Sequence, residues 1–152
     1  MRITAKTDYA VRAMVELAGM PGEAPVKAES IAANQDIPLH FLLKILADLR
    51  IARLVTSWRG QAGGYRLARP AGDITVADVI RAVEGPLADV HGQPPEDVEY
   101  GGSAVAVRDV WLAVRSSLRT VLEHVTLEQV AAGDLPHHVL DIAAHPGADR
   151  RR

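Results

Sequence analysis

The stretch of sequence that decides the fold is LVTSWRGQAGGYRL, residues 54–67. Its two ends, 54–58 and 65–67, are rich in β-branched and aromatic residues, which favour strands. The segment between them, 60–64, contains three glycines. Two short strand-like runs around a glycine-rich turn predict a β-hairpin.

Helical patterns precede this hairpin. Apolar residues recur at helical spacing over residues 4–18 and 27–34. A third helix is expected to begin at Pro38, because proline fits the first position of a helix, and to run to about Arg50. Its inward-facing residues are predicted to be Phe41, Leu42, Ile45, Leu46 and Leu49. The order helix, short helix, tight turn, helix and hairpin predicts a winged helix-turn-helix domain.

The rest of the chain divides into a fourth helix, a loop, a long helix and a tail. Residues 1–84 form the predicted head, and residues 85–103 form a loop long enough to have a function of its own. Residues 104–132 hold the long helix and a short helix after it, and residues 133–152 are expected to be a flexible tail. The predicted fold class is therefore mainly α with a small β-hairpin wing: a winged helix-turn-helix head plus a long dimerisation helix.

An apolar stripe runs along the long helix, predicted over residues 105–125, in steps of three and four residues. Its members are Val107, Val110, Trp111, Val114, Leu118, Val121 and Leu122. A helix of about 21 residues spans about 31 Å, which is more than a small head can cover. We therefore expect the stripe to pack on the same helix of a second copy, giving a homodimer. The alternative is that the helix folds back over its own head.

Composition excludes several classes of protein. The 152 residues include no cysteine, which excludes disulfides, thiolate nucleophiles and Cys-containing zinc fingers. No apolar run approaches the roughly 18–20 residues of a membrane span, and the N-terminus lacks the apolar region of a signal peptide. A cytoplasmic protein without a membrane partner is expected. No side chains have the spacing of a catalytic site, so no catalytic or metal-ligating residue is assigned.

Charge is divided unevenly along the chain. Residues 1–70 contain ten Lys and Arg against six Asp and Glu, a net charge of +4. Residues 71–152 contain seven against thirteen, a net charge of −6. A basic front half and an acidic rear half favour a head that faces nucleic acid and a separate second part.

The outward face of the third helix carries the residues expected to meet DNA. Lys44 can contact a phosphate or a guanine edge, and His40 can bond a base or a phosphate. Leu39 and Leu43 can contact thymine methyl groups. The alternative for Leu39 is a packing contact onto the second helix.

The hairpin offers a second set of contacts. Arg59 is placed to enter a minor groove, where the negative potential of a narrow groove favours a planar cation. Glycines without Cβ atoms let the tip approach phosphates, and the candidate contacts there are Gly60, Gln61, Gly63 and Gly64. The alternative, a nucleotide-binding loop, lacks the Lys-Ser/Thr that such a loop needs. Further candidate phosphate contacts are Arg2 and Lys6 at the N-terminus and Arg50 and Arg53 near the hairpin.

Three segments resemble the Rrf-two family of bacterial transcriptional regulators. They are MRITAKTDYAVRAM (1–14), RGQAGGYRLA (59–68) and ITVADVIRAVEG (74–85), and the similarity extends to about residue 132. The resemblance implies a homodimer that binds double-stranded DNA at an imperfect palindrome and usually represses transcription. It also places the base-reading positions at Pro38 to Lys44 and the minor-groove arginine at Arg59.

The chain departs from that family at several positions. Many members hold an iron–sulfur cluster through three cysteines, but the matching stretch, 90–102, contains none. No cofactor is therefore expected. Asp8 lies where some members supply a carboxylate ligand, and here it is interpreted as an acid at a helix start. The family usually has glycine at the position of Arg53, so a bulky residue there is expected to alter the turn that sets the angle of the hairpin.

Control of such a regulator is expected to act through the loop before the long helix. The loop 85–103 is the candidate effector site for a small molecule, with His91, Glu96, Asp97 and Tyr100 as its candidate residues. One alternative is control by a partner protein, which the family's cluster-free members suggest. Another is a metal sensor or metal-dependent enzyme that uses His91 and the loop acids.

Overall fold

The computed structural model describes residues 2–149, and the order of elements agrees with the predicted fold class. The helices are α1 (Ala5–Gly19), α2 (Ala28–Gln35), α3 (Leu39–Ile51), α4 (Val76–Glu84), α5 (Val107–Leu122), α6 (Leu127–Ala132) and α7 (His137–Ala143). The antiparallel strands β1 (Val55–Trp58) and β2 (Gly64–Leu67) form the hairpin. Three short 3-10 turns complete the structure: Ala71–Asp73, Pro95–Asp97 and Gly102–Ala104.

Local sequence signals explain where several helices begin. The Thr4 side chain accepts a hydrogen bond from the Thr7 amide at the start of α1. Thr75 with Asp78, and Thr126 with Gln129, form reciprocal capping boxes at the starts of α4 and α6. Pro38 is the N-cap residue of α3 rather than its first helical residue, one position away from the prediction.

The hydrophobic core lies between the helices of the head. Its largest fully buried side chains come from α1, α2, α3 and the segments beside them: Met14, Ile31, Leu42, Ile45, Leu46, Leu49, Val55, Ile74, Val79 and Leu127. The predicted inward position of Phe41 is wrong, because its side chain is 49% exposed. Phe41 lies at the edge of the buried stripe of α3, and its ring packs edge-on against Tyr9 instead, at 6.5 Å between centroids.

The short helix α6 packs into the head. The Val76 amide donates to the Val125 carbonyl and the Leu127 amide donates to the Ile74 carbonyl, both at 2.9 Å. Leu127 is fully buried in the head core. The chain leaves the head after α4 and returns to it at α6, and the predicted segment boundaries at 104 and 132 remain predictions.

Two further differences concern the second half of the chain. Helix α5 has 16 residues rather than the expected 21 and is therefore about 24 Å long. The segment predicted as a flexible tail contains a helix, α7, which begins directly after the N-cap Pro136. The His138 ring lies 3.1 Å from the Thr120 carbonyl of α5. Residues 150–152 of the predicted tail lie outside the described residues. Within residues 2–149, no helix has the length and apolar character needed to span a membrane.

Candidate nucleic-acid interface

The first two turns of α3 present polar and apolar side chains to solvent. His40, Leu43 and Lys44 are exposed, and Leu39 is 36% exposed. Lys44 forms no salt bridge with any other residue in the described part of the chain. A cation without an internal partner, on an exposed helix face, is available to a phosphate or a base edge.

Beside this surface lies a group of aromatic side chains that the sequence analysis did not predict. The rings of His40 and Phe41 are 4.5 Å apart, and Phe41 also contacts Tyr9. The guanidinium of Arg12 lies over the Tyr9 ring at 5.7 Å and pairs with Asp8 at 3.1 Å. The Asp8 carboxylate is therefore half of a local ion pair within α1, in keeping with its interpretation as a helix-start acid.

The hairpin projects Arg59 at its turn. Val55 pairs with Leu67 and Trp58 pairs with Gly64, which leaves residues 59–63 as the connecting loop. Arg59 and Gln61 are exposed, and Arg59 has no salt-bridge partner among residues 2–149. The geometry therefore agrees with an arginine available at the tip of a wing.

The structure favours glycine at each of the three glycine positions of the wing, but for different reasons. A Cβ atom on Gly63 would overlap the Trp58 carbonyl oxygen, and one on Gly64 would lie 2.5 Å from the Val26 carbonyl oxygen. Gly60 faces open space but has a φ of +98°, which favours glycine. Gly63 and Gly64 are thus required by close backbone approaches inside the protein. The Cβ direction of Gly60 is open, and the expected phosphate contacts of the wing glycines remain predictions.

Two further arginines lie on or beside the wing. Arg50, near the end of α3, lies with its Nη1 3.5 Å from the Ser57 hydroxyl of β1. Arg66 of β2 stacks over Trp58 at 5.8 Å, and that indole is 47% exposed. An aromatic residue on one strand of a predicted hairpin and an arginine on the facing strand are the sequence signal that could have identified this pair.

The two N-terminal candidates lie in other surroundings. The Lys6 ammonium donates to the Val83 carbonyl at 2.7 Å and pairs with Asp48 at 2.8 Å, so it joins α1 to α4 and α3. Arg2 lines a groove together with Leu118 and Leu122 of α5. These contacts give Lys6 a structural role, and neither residue is brought next to Lys44 or Arg59 by them.

Arg53 adopts the left-handed conformation that glycine usually supplies. Its φ is +58°, and its amide donates to the Arg50 carbonyl at 3.0 Å as α3 ends. The tight turn into β1 is therefore formed with arginine in place, at a conformational cost. The expected change in the angle of the wing is not tested by this observation and remains a prediction.

The apolar stripe of α5 is not covered by the chain itself. No residue of α5 is buried, and Val110 and Trp111 are 54% and 40% exposed. A continuous groove runs along the stripe, lined by Val110, Ala113, Val114, Ser117, Leu118, Val121 and Leu122. A long apolar face open to water is typical of a helix that packs on another protein surface.

The loop before α5 is held against that helix by three polar contacts. Glu96 accepts a salt bridge from Arg115 at 2.6 Å, and Arg115 lowers the pKa of that carboxyl below its ordinary value. The Arg108 side chain donates to the Glu96 carbonyl through two nitrogens, each at 3.3 Å. Trp111 donates to the Tyr100 hydroxyl at 3.1 Å. Glu96 and Tyr100 are therefore both engaged with α5.

The other two loop candidates, His91 and Asp97, are not drawn into a metal site. His91 has a φ of +54°. Among residues 2–149, no three His, Cys, Asp or Glu side chains are placed so that they could hold a metal ion. The donors that the metal-sensor alternative needs are not brought together.

A helix-turn-helix, with α3 as its second helix, followed by a β-hairpin defines the class of winged helix-turn-helix proteins. Comparison with known proteins gives the family. The model of the Rrf2 family, described as iron-dependent transcriptional regulators, matches residues 3–133. The chain belongs to the Rrf2 family of HTH-type transcriptional regulators, as the resemblance in its sequence predicted.

Individual relatives agree with this assignment. The chain is 51% identical over 143 residues to an HTH-type transcriptional regulator of Mycobacterium tuberculosis, covering 94% of this chain and 89% of that protein. It is 38% identical over 132 residues to the regulator CymR of Bacillus subtilis, covering 87% and 91%. It is 36% identical over 152 residues to IscR of Xenorhabdus nematophila, covering 100% and 90%. These relatives are transcriptional regulators, not enzymes.

Solved structures give the same answer for the fold. The structure of CymR, described as the global cysteine regulator of B. subtilis, superposes with a TM-score of 0.74 at 35% identity, covering 88% of this chain and 98% of that one. The structure of IscR from T. potens superposes with a TM-score of 0.68 at 34% identity, covering 100% and 93%. The winged-helix architecture is confirmed.

The description "iron-dependent" attached to the family does not fit the donor set of this chain. The sequence has no cysteine to supply thiolates. The described residues offer no group of three nitrogen or oxygen donors in place of them. The residues present therefore do not fit an iron ion or an iron–sulfur cluster.

Proposed function

We propose that two copies of this chain bind a palindromic DNA operator and repress transcription, without an iron–sulfur cluster. Each head places the start of α3 in a major groove and the wing tip in the adjacent minor groove. The proposed contacts are Leu39, His40, Leu43 and Lys44 of α3, and Arg59, Gly60 and Gln61 of the wing. Arg50 and Arg66 join them as phosphate contacts, and we leave out Lys6 because its charge already has a partner.

The observation that carries the proposal is a pair of exposed cations, one on α3 and one at the wing tip, without salt-bridge partners among residues 2–149. Lys44 and Arg59 are exposed and unpaired within residues 2–149, on the two elements that a winged helix directs toward DNA. Asp48 neutralises Lys6 in the head. Among residues 2–149, neither Lys44 nor Arg59 has such a carboxylate partner. DNA phosphates supply the missing counter-charge.

The homodimer is supported by the uncovered face of α5. Val110, Val114 and Leu118 lie on one side of that helix and are left partly or largely exposed by the single chain. A second copy that brings the same face to them buries both faces at once, as the symmetry of a two-fold dimer requires. Two-fold symmetry in the protein then predicts a palindrome in the DNA.

The test combines the molar mass with the salt dependence of DNA binding. Light scattering on the free protein should give twice 16.3 kDa. Fluorescence anisotropy with promoter DNA should give a log–log plot of affinity against salt with a negative slope, because phosphate contacts release counter-ions. Lys44→Gln should reduce the size of that slope by about one for each head that loses a contact.

The matched control is Arg108→Gln, which removes one positive charge from α5, outside α3 and the wing. The Arg108 side chain donates to the main-chain carbonyl of Glu96. The control should leave the slope close to that of the wild type. A slope near zero for the wild type, or equal slopes for all three proteins, would contradict DNA contact through α3. Repression is tested by transcription in vitro from the bound promoter, where added protein should lower the amount of transcript.

A further inference from the structure

A cavity lined by arginines lies where the head, the loop and α5 meet. Its volume is about 190 Å³. The head contributes Arg81 from α4, and α5 contributes Arg115 and Arg119. The loop between them contributes Asp89 and Glu96. The head, the loop and α5 therefore all line this one space.

The cations of the cavity outnumber the carboxylates that pair with them. Glu123 receives both Arg81 and Arg119 on the same oxygen, Oε1, and Arg119 reaches it at 3.4 Å. Among residues 2–149, Glu96 forms a salt bridge with Arg115 alone. Each guanidinium carries five N–H donors in a planar fork, so three of them are not saturated by two carboxylates. The Asp89 carboxylate also lines the cavity, but one of its oxygens, Oδ1, accepts the Gly92 amide of its own loop at 2.9 Å.

The two members of the Glu96–Arg115 ion pair differ in exposure, which would allow a ligand to replace the Glu96 carboxylate. The Arg115 side chain is only 19% exposed, whereas the Glu96 side chain is 44% exposed. The cation is therefore the fixed inner partner, and the carboxylate reaches it from the solvent side. Because Arg108 holds the main-chain carbonyl of Glu96, the side chain can turn away while the loop backbone stays in place.

We propose that this cavity binds a small oxyanion, the carboxylate or phosphate group of a metabolite, which takes the place of the Glu96 carboxylate on Arg115. Guanidinium forks bind both kinds of group through paired charge-assisted hydrogen bonds. Arg119, one helical turn further along α5, also lines the cavity and binds the other side of the ligand. The small volume suits a compact metabolite and not a nucleotide.

Arg115 and Arg119 lie off the apolar groove of α5, whose lining does not include them. The cavity and the groove share no lining residue, so packing of a second copy on the groove uses none of the residues that line the cavity. Replacement of the Glu96 carboxylate removes one of the three polar contacts between the loop and α5. The loop stays held by Arg108 and by the Trp111–Tyr100 hydrogen bond, so the link between the head and the dimer helix is loosened and not broken. That this change alters DNA affinity rests on the proposed function, whereas binding of the oxyanion does not.

The experiment is isothermal titration calorimetry on the full chain without DNA, at constant ionic strength. Inorganic phosphate and succinate are the two probes, and sodium chloride is the control for ionic strength. Wild-type protein should bind at least one probe saturably. Arg115→Gln should weaken binding at least about tenfold, and Glu96→Gln should tighten it, because the competing carboxylate is gone.

The matched control is Arg69→Gln, which removes an arginine that pairs with Asp78 at 3.8 Å outside the cavity. It should bind the probe as the wild type does. Should Arg115→Gln fail to fold, the tightening in Glu96→Gln decides the matter alone. Saturation by phosphate but not succinate assigns a phosphate ligand, and the reverse assigns a carboxylate.

The proposal is overturned by any of three results. The first is that neither the wild type nor Glu96→Gln binds a probe saturably. The second is that sodium chloride reproduces the heat of the titration. The third is that Arg69→Gln and Arg115→Gln lose the same amount of affinity for the probe. Because DNA is absent from the titration, each of these results leaves the proposed function intact. Conversely, failure of DNA binding leaves the titration unaffected.

Discussion

Replacing Gly64 with alanine tests how the wing is held on the head. Gly64 has a φ of +150°, and a Cβ atom on it would lie 2.5 Å from the Val26 carbonyl oxygen. At this point the wing is joined to the segment before α2 by two backbone hydrogen bonds. The Val26 amide donates to the Tyr65 carbonyl at 2.9 Å, and the Tyr65 amide donates to the Val26 carbonyl at 2.8 Å. Alanine must separate these two segments.

The size of the effect follows from these contacts. Losing two backbone hydrogen bonds costs about 2 kcal/mol, at about 1 kcal/mol each. Strain at positive φ adds about 1 kcal/mol, and the lower entropy of the unfolded alanine variant offsets about 0.5–1 kcal/mol. We expect Gly64→Ala to lower the free energy of unfolding by about 2 kcal/mol, measured by urea denaturation followed by circular dichroism.

Gly60→Ala is the matched control, because Gly60 also has a positive φ but its Cβ direction is open. It should lose no more than about 1 kcal/mol, since strain and unfolded-state entropy nearly cancel. Gly64→Ala should also weaken DNA binding under conditions where both variants are folded, because the wing carrying Arg59 is displaced. Equal destabilisation by the two substitutions would refute the close approach to Val26 as the reason for this glycine.

Four other outcomes are expected. Arg59→Ala should weaken operator binding by about 1–3 kcal/mol in anisotropy titrations while leaving unfolding nearly unchanged, and an unaltered affinity would argue against the minor-groove contact. Leu118→Glu should reduce the mass seen by light scattering to 16.3 kDa, since it places a charge in the dimer core; a mass that stays doubled would contradict this interface. Arg53→Gly should raise the free energy of unfolding by about 0.5–1 kcal/mol, because relief of the strain at φ +58° exceeds the added entropy of glycine, and a loss of stability would show that the arginine makes compensating contacts. Arg115 lowers the pKa of the Glu96 carboxyl below its ordinary value. This ion pair therefore stabilises the fold above the ordinary pKa of a glutamate, and the stabilisation is lost as the pH falls through the lowered pKa. The Tm difference between wild type and Glu96→Gln should be present at about pH 6 and vanish in acid.

Much of the head could be predicted because its signals are local. The hairpin follows from β-branched residues on both sides of Gly60, Gly63 and Gly64, and the capping residues Thr75 and Thr126 mark two helix starts. These features depend on backbone preferences within a few residues. Comparison with known proteins confirms the family and the winged-helix class that such segments indicated.

The features that sequence reasoning missed depend on contacts between distant segments. Phe41 continues an apolar pattern, but only the position of Tyr9 shows that its ring lies outside the core. Lys6 has the appearance of a free N-terminal cation, yet Asp48, far along the chain, neutralises it. Leu127 follows the long helix directly in sequence but is buried in the head. No local pattern contains this information.

The candidate contact residues of the DNA surface are a different case. The structure leaves Lys44 and Arg59 exposed and unpaired within the described residues, which is compatible with the predicted role. Leu39 is about one-third exposed, so its alternative contact with α2 is not removed. These assignments stay predictions until bound DNA is measured.

The most direct test of the central claim is selection of DNA from a random pool by the purified full-length chain, followed by sequencing of the bound fragments. A dimer that presents two copies of α3 should enrich an inverted repeat. The centres of its half-sites should lie about 34 Å apart, one turn of DNA, or a multiple of that distance. Enrichment of a single half-site without its inverted partner, or no enrichment over the starting pool, would contradict the account.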